Sequence, residues 1–346
     1  MAGDLKLGLS VGYWAGGPPP GAAQAIAEAE SLGVDSVWTA EAYGSDCLTP
    51  LAWWGAATSQ IKLGTAIVQM SARQPAATAM AAMTMDHLSG GRFILGLGVS
   101  GPQVVEGWYG MPFAKPLART REYVGILRDI WARKGPVTAD GEHYKLPLPD
   151  GTGLAKPLKS SIHPLREEIP IYLGAEGPKN IALCAELCDG WLAMLFSPTH
   201  QAPYEAALQE GFSRPGARRN AQDFEVCATV PLIVSDDVDA SIDALRPFYA
   251  LYFGGMGAKG TNFHANVAIR MGYEREVDQI QELYLGGKKD EAGAAVPRAL
   301  IEELSLVGPR EKIRDDLAKW RESIVTTLIV SADGPTLRTV AELVLD

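Results

Sequence analysis

The residues in this chain whose types could do chemistry cluster just after short apolar runs. Glu41 closes one such run in Trp38-Thr-Ala-Glu41-Ala-Tyr43-Gly-Ser-Asp46. A carboxylate at a strand end either binds a ligand donor and moves protons or forms half of a rim salt bridge. Tyr43 beside it is a second candidate for a polar, catalytic role. Gln69, Met70 and Arg73 follow the next apolar run. Tyr13, Trp14, Trp53, Trp54, Trp108 and Tyr109 fall in or beside the early run ends. Aromatics so placed suit a planar cofactor or an apolar substrate, although any one of them is more often core. Tyr13, Trp14, Met70 and Trp108 form the candidate substrate pocket.

Two glycine-rich turns add backbone chemistry. Gly96-Leu-Gly98-Val-Ser-Gly101 satisfies the G-x-G-x-x-G spacing of a dinucleotide fingerprint. Its context argues against that reading. Pro102, Gly107, Gly110 and Pro112 leave room for barely two helical turns, and three strand-helix units precede the motif. No acidic residue ends a following strand about 20 positions on. What remains is either a tight turn or a place where backbone N–H groups approach a flat or anionic ligand. Gly174-Ala-Glu-Gly177-Pro-Lys-Asn180 runs from an apolar stretch into a helix, with Pro178 suited to the first turn. Free N–H groups at a helix start form an anion site, and Lys179 there opposes the helix dipole unless an anion compensates it. A phosphate site is favoured over a solvated first-turn lysine.

Other chemistries find no support. His87, His143, His163, His200 and His264 show no metal-binding spacing, and no G-x-S-x-G elbow is present. Four cysteines in 346 residues do not make a disulfide framework. Ile181, Cys184, Ala185 and Cys188 follow helical spacing, which puts both sulfurs on a core stripe. Lys plus Arg number 31 against 41 Asp plus Glu, a formal charge of −10 with no basic run, which excludes a nucleic-acid surface. No apolar stretch approaches the about 20 residues of a membrane span. The N-terminal Met1-Ala-Gly-Asp-Leu-Lys lacks a signal-peptide profile. A cytoplasmic protein acting on a small organic molecule, with no membrane or nucleic-acid partner, is expected.

These residues need a scaffold, and the apolar runs supply one. With 47% hydrophobic and 21% charged residues the chain is of globular type. Eight Val/Ile/Leu-rich runs recur: Leu5 to Val11, Val34 to Thr39, Ile61 to Val68, Arg92 to Val99, Ile169 to Gly174, Gly190 to Leu195, Phe224 to Val234 and Thr326 to Ser331. Each is followed by an amphipathic helical stretch, such as Ala22, Ile26, Ala29 and Leu32 before Gly33, or Tyr123, Ile126, Leu127, Ile130 and Trp131. The pattern predicts an α/β fold, a (β/α)8 TIM barrel. Connections of about 70 and 90 residues after strands four and seven exceed ordinary loops. They predict insertions near 134–168 and 250–310, the second including Phe253 to Thr261, within one domain spanning 1–346.

The run Leu88-Ser-Gly-Gly-Arg-Phe93, continuing to Gln103, resembles the luciferase-like monooxygenase superfamily, most of all its coenzyme F420 branch. The likeness extends through Leu63-Gly-Thr-Ala-Ile67, Gln74-Pro-Ala-Ala77, Gly174 to Asn180 and Asp189-Gly-Trp191, from Leu5 to near Leu195 and more loosely over the last strand. It implies a (β/α)8 barrel, a homodimer, and a non-prolyl cis peptide between Ala66 and Ile67 behind a deazaflavin ring. It further implies ring and ribityl contacts from Glu41, Ala66, Ile67, Gln69, Gly98, Val99, Ser100, Gln103 and Val104. Gly174, Ala175, Glu176, Gly177, Pro178, Lys179 and Asn180 would hold the cofactor phosphate. Sugar-phosphate dehydrogenases of this branch carry a His after the strand-two acid and a Glu after the strand-four turn. Here those places read Ala42 and Gly101 or Pro102, with Glu106 shifted, which argues against sugar-phosphate oxidation. The expectation is an F420-dependent oxidoreductase. The alternatives are an FMN-dependent monooxygenase of the same superfamily and a cofactor-binding protein without turnover.

Overall fold

The computed structural model describes residues 5–14, 16–257, 260 and 262–345; of the Phe253 to Thr261 run, Ala258, Lys259 and Thr261 lie outside them. Eight parallel strands close into a barrel: β1 (Lys6–Gly12), β2 (Ser36–Thr39), β3 (Lys62–Thr65), β4 (Phe93–Gly98), β5 (Ile171–Gly174), β6 (Gly190–Met194), β7 (Glu225–Thr229) and β8 (Thr327–Val330). Pairing runs in chain order, and β1 closes on β8 with Lys6 opposite Thr327. The helices α1 (Ala22–Ser31), α2 (Leu48–Gly55), α3 (Pro75–Ser89), α4 (Pro116–Ala132), α5 (Pro178–Leu187), α6 (Ala202–Phe212), α7 (Arg310–Arg321) and α8 (Gly334–Leu345) surround it.

The apolar runs form these strands because both faces are buried. One face packs outward on the helices in a continuous core holding Leu7, Leu9, Leu63, Leu95, Ile171 and Leu328. The other fills the barrel with Trp38, Ile94, Tyr172, Leu192, Cys227 and Ile329, one residue from each of six strands. The remaining two strands contribute glycine. A Cβ on Gly64 would lie 2.3 Å from the Trp38 ring, and one on Gly8 3.0 Å from its Nε1. The indole therefore occupies the space of two missing side chains, and its Nε1 donates to Ser36 Oγ at 2.9 Å.

Two predicted strands are interrupted. Ile61 to Val68 breaks at the Ala66–Ile67 bond, which is cis, and Val68–Gln69 then pairs separately with β4. The apolar pattern of Phe224 to Val234 predicts one strand, but the segment leaves the barrel at Val230-Pro231, where proline offers no N–H to the ladder. Leu232–Val234 pairs instead with Leu306–Gly308 in a separate parallel ribbon. The additional structure after β7 thus begins at Leu232, earlier than the expected 250.

Helices within 238–304 enclose a core of their own, with Ile242, Tyr249, Phe253, Ile280, Leu300 and Ile301 buried and Met194 and Leu195, at the end of β6, packed against it. Helix Val238–Ala250 continues into a wider turn, Leu251–Gly255. Asn262 Nδ2 binds the Tyr252 and Phe253 carbonyls at 2.8 and 3.0 Å, and Gln281 Nε2 binds the latter at 3.2 Å. This turn fixes where Tyr252 points. After β4, the chain adds a short helix, Pro102–Gly107, and beyond α4 a small hairpin of Ala139–Asp140 and Lys145–Leu146.

Candidate active site

At the C-terminal ends of the strands, the segments after β2 and β3 are tied by one carboxylate. Glu41, 8% exposed, takes both oxygens to Arg73 Nη1 at 2.9 Å. Oε1 also accepts from Gln69 N at 2.8 Å, and Oε2 from Cys47 N at 3.3 Å. The salt bridge and the placement of a polar group at the mouth are therefore one feature. Glu41 has no free oxygen directed at a substrate, and its observed role is to hold Gln69. Gln69 Nε2 donates to Ala42 O at 2.7 Å and to Tyr109 Oη at 3.3 Å. Its Oε1 is buried without a partner.

Beside this knot, Ile67 lies across the ends of β4 and β5. A Cβ on Gly98 would sit 2.5 Å from Ile67 Cδ1, and one on Gly174 3.4 Å from its Cγ2. The two glycines make room for the Ile67 side chain, and together the three residues form the floor of the mouth, where a side chain at Gly98 would collide with Ile67. The chain leaves this floor through Val99 and Ser100, the latter at φ 60°, a left-handed turn carried by a non-glycine residue. Gln103 and Val104 fall in the short helix that follows, with Gln103 exposed and Val104 half-buried. That helix is six residues long, so the glycine fingerprint opens no dinucleotide helix.

After β5, Ala175 is buried and Gly177 starts α5 in an extended conformation, with Pro178 and Lys179 exposed on the first turn. Asn180 leaves its side-chain Oδ1 buried and unpaired. Cys184 and Cys188 are fully buried free thiols, on the core face that the spacing predicts. Glu176 turns toward the second insertion, where its Oε1 lies 2.5 Å from His264 Nδ1. Arg270 Nη2 donates to the Glu176 carbonyl at 3.1 Å.

The aromatic candidates divide. Tyr13, Tyr43 and Trp108 are 46%, 62% and 66% exposed, whereas Trp14 is half-buried against Trp54, ring centroids 6.0 Å apart, with Nε1 unpaired. Met70 is a correction. It is 2% exposed and belongs to the outer core between strands and helices, so it does not line the mouth. Sequence reasoning missed Tyr252 and His264. Both come from the irregular part of the insertion, where no periodic pattern marks a side chain's direction. Tyr252 packs edge-on to His264, centroids 4.9 Å apart. Burial pushes its phenol up to about 12, with Tyr13, Glu176 and Tyr43 adding to the shift.

Two surface depressions of about 480 and 350 Å3 lie elsewhere, one on the insertion beside Asp243 and Arg246, the other beneath β1 beside Lys6 and Asp35. Within them Asp243 pairs with Arg246, Lys6 with Glu225 and Asp35 with Lys62. Among the described residues, no cluster of His, Cys, Asp or Glu could hold a metal, and no helix is long and apolar enough to cross a membrane.

A closed eight-stranded parallel barrel with a glycine floor and unpaired polar atoms at its C-terminal mouth belongs to the TIM-barrel class of cofactor and substrate sites. Residues 8–327 match the luciferase-like monooxygenase family, and the chain belongs to it. A relative from Mycobacterium tuberculosis, named as a putative coenzyme F420-dependent oxidoreductase, is 56% identical over 96% of both chains. A 5,10-methylenetetrahydromethanopterin reductase of Archaeoglobus fulgidus is 29% identical over 89% of this chain and 88% of its own. Among solved structures, the F420-dependent tetrahydromethanopterin reductase from Methanopyrus kandleri superposes with a TM-score of 0.80 at 25% identity, covering 99% of this chain and 97% of that one.

Proposed function

We propose that the protein is an F420-dependent oxidoreductase that moves a hydride between C5 of the deazaflavin and an organic substrate held at the barrel mouth. The observation that carries this reading is the floor made by Gly98, Ile67 and Gly174, bordered by the unpaired atoms of Gln69 and Asn180. Buried acceptors without partners are costly and are retained where a ligand completes them. The name of the 56% identical relative supports the choice of coenzyme.

On this reading Ala66, Ile67, Gly98, Val99 and Ser100 bear the ring, and Gln69 Oε1 accepts a hydrogen bond from it. Gln103 and Val104 flank the ribityl chain, and the N–H groups of Gly177 to Asn180 meet the phosphate, with Lys179 adding a positive charge. Bound there, the deazaflavin supplies a two-electron hydride carrier. Glu41 and Arg73 act at one remove by fixing Gln69. Tyr13, Tyr43 and Trp108 cover the open side and exclude water from the reacting atoms.

Fluorescence titration tests this directly. F420 is expected to bind at micromolar or lower concentration and FMN at least about tenfold more weakly, a difference of about 1.4 kcal/mol. Reduced F420 is then expected to be oxidised by a member of a panel of activated alkenes, imines and carbonyls. Tight FMN binding without F420 binding overturns the reading in favour of a flavin monooxygenase. F420 binding with no oxidation across the panel leaves a cofactor-binding protein without turnover.

A further inference from the structure

The part of the mouth contributed by the second insertion has no role in the reading above, yet it brings a carboxylate and an imidazole together. His264 Nδ1 lies 2.5 Å from Glu176 Oε1, with side-chain exposures of 21% and 13%. The approach is off the line of a hydrogen bond: Nδ1 and Glu176 Oε2 are both buried without a hydrogen-bond partner. The pair is thus at ion-pair distance with capacity to spare. Because Nδ1 is buried, the exposed fraction of the imidazole belongs to the rest of the ring.

From this geometry we infer that His264 is the residue that exchanges a proton with the substrate, through Nε2, and that Glu176, 2.5 Å from Nδ1, positions it by drawing a proton to Nδ1 once a small rotation of the ring brings the two into line. The inference rests on the oxidoreductase reading. A hydride transfer to a polarised double bond needs a proton at the other atom. In the reducing direction the substrate gains the hydride of the reduced deazaflavin at one atom. The Nε2–H proton of an imidazolium passes to the adjacent atom, leaving a neutral imidazole that water reprotonates. In the oxidising direction the same nitrogen takes the proton. A carboxylate behind one ring nitrogen fixes the tautomer and orientation that such exchange requires.

The other polar groups beside this pair or elsewhere at the mouth are less suited. Tyr252, edge-on to the ring, has its phenol pushed up to about 12 by burial, with Tyr13, Glu176 and Tyr43 adding, and stays protonated near neutrality. The Tyr13 phenol is also raised, by burial and then by Tyr43. Arg270 touches the Glu176 carbonyl and is a permanent cation. Glu41 is consumed by Arg73. Ala42, where branch members with sugar-phosphate activity carry a histidine, has no titratable group, so the proton reaches this site from a different element.

The test has two arms. In the full-length protein without ligand, histidine 15N spectra of the neutral ring are expected to place the proton of His264 on Nδ1, and Glu176→Ala is expected to move it to Nε2. An Nε2–H form in the unmodified chain, or no change in Glu176→Ala, overturns the inference. In the second arm, His264→Gln is expected to bind F420 as the unmodified chain does while kcat on the panel compound falls at least about 100-fold and the pH profile loses a limb. Unchanged kcat and profile overturn the proton role alone. Failure of the unmodified chain to bind F420 or to turn over any panel compound overturns the oxidoreductase reading and this role with it.

Discussion

The two ends of the barrel treat buried polar groups in opposite ways. At the N-terminal ends of the strands every carboxylate named here is met. Asp189 accepts from Ile171 N at 3.0 Å and Arg219 Nε at 2.8 Å, with Arg128 Nη2 at 3.4 Å. Asp86 pairs with Arg166 through both oxygens, and Glu225 holds Lys6 and Thr326 Oγ1, each at 2.5 Å. Arg128 and Arg218 leave only an Nε idle, on guanidinium groups that already meet Asp189 through other nitrogens. At the mouth, Trp14 Nε1, Gln69 Oε1, Glu176 Oε2 and Asn180 Oδ1 have nothing. An unsatisfied buried group costs about 1 to 3 kcal/mol. One end is finished as a structure; the other leaves buried polar atoms unpaired, the division expected of a barrel whose lower face gives stability and upper face function.

The sharpest way to break this contrast is to remove Asp189. Asp189→Ala strands up to three arginines and an N–H, so denaturant unfolding is expected to show a loss of about 3 kcal/mol or more. F420 affinity per folded molecule should not change. A loss of affinity at equal stability would mean that the lower end also shapes the site. Gly98→Ala acts at the other end. Its Cβ would meet the mobile tip of Ile67 at 2.5 Å, so the side chain can shift at a cost of about 1 kcal/mol. The floor is lost, and F420 affinity is expected to fall about tenfold or more.

This contrast also explains what the sequence revealed. The family run Ser89-Gly-Gly-Arg-Phe93 belongs to the lower end. Gly90 ends α3 in a left-handed conformation, and Arg92 binds Thr58 Oγ1, Ile61 O and Thr58 O at 3.0, 2.5 and 3.0 Å. In Asp189-Gly-Trp191, a Cβ on Gly190 would lie 2.8 Å from the Tyr172 ring, and Trp191 Nε1 donates to Ala175 O at 2.7 Å. Such motifs are legible because tight backbone and close packing admit few residue types, so they carry the fold. The eight strands were legible for the related reason that burial on both faces demands continuous apolar runs. Met70 was misread because a residue after a strand can turn into either layer, and its chemistry suits both. Tyr252 and His264 gave no signal: the turn that carries Tyr252 is held by Asn262, ten positions on, and His264 sits just beyond Asn262 at the start of a short helix, where no periodic pattern marks a direction.

Acid tests the lower end more gently. Burial pushes the Glu225 carboxyl up, but the hydrogen bonds of Lys6 and Thr326 and the Lys6 charge outweigh it and hold the group below the ordinary carboxylate range. A depressed folded-state pKa contributes stability that is present above the unfolded value, about 4.3, and is lost as pH falls through the folded value. Stability measured from pH 6 down to 3 is therefore expected to fall less steeply in Glu225→Gln than in the unmodified chain. Parallel curves would show that this pairing adds nothing to the sealed end.

The smallest effect is the most diagnostic of the mouth, because it should change sign between two measurements. Asn180 sits in the first turn of α5 with Oδ1 buried and unpaired, so Asn180→Ala removes an unsatisfied acceptor and puts a good helix former in its place. Ligand-free stability is expected to rise by up to about 1 kcal/mol, while F420 binding weakens because a partner for the coenzyme has gone. A structural asparagine would lose stability on the same change, and a bystander would move neither quantity. Only a group kept idle for a ligand raises one and lowers the other, so a fall in both would put Asn180 with the sealed end of the barrel.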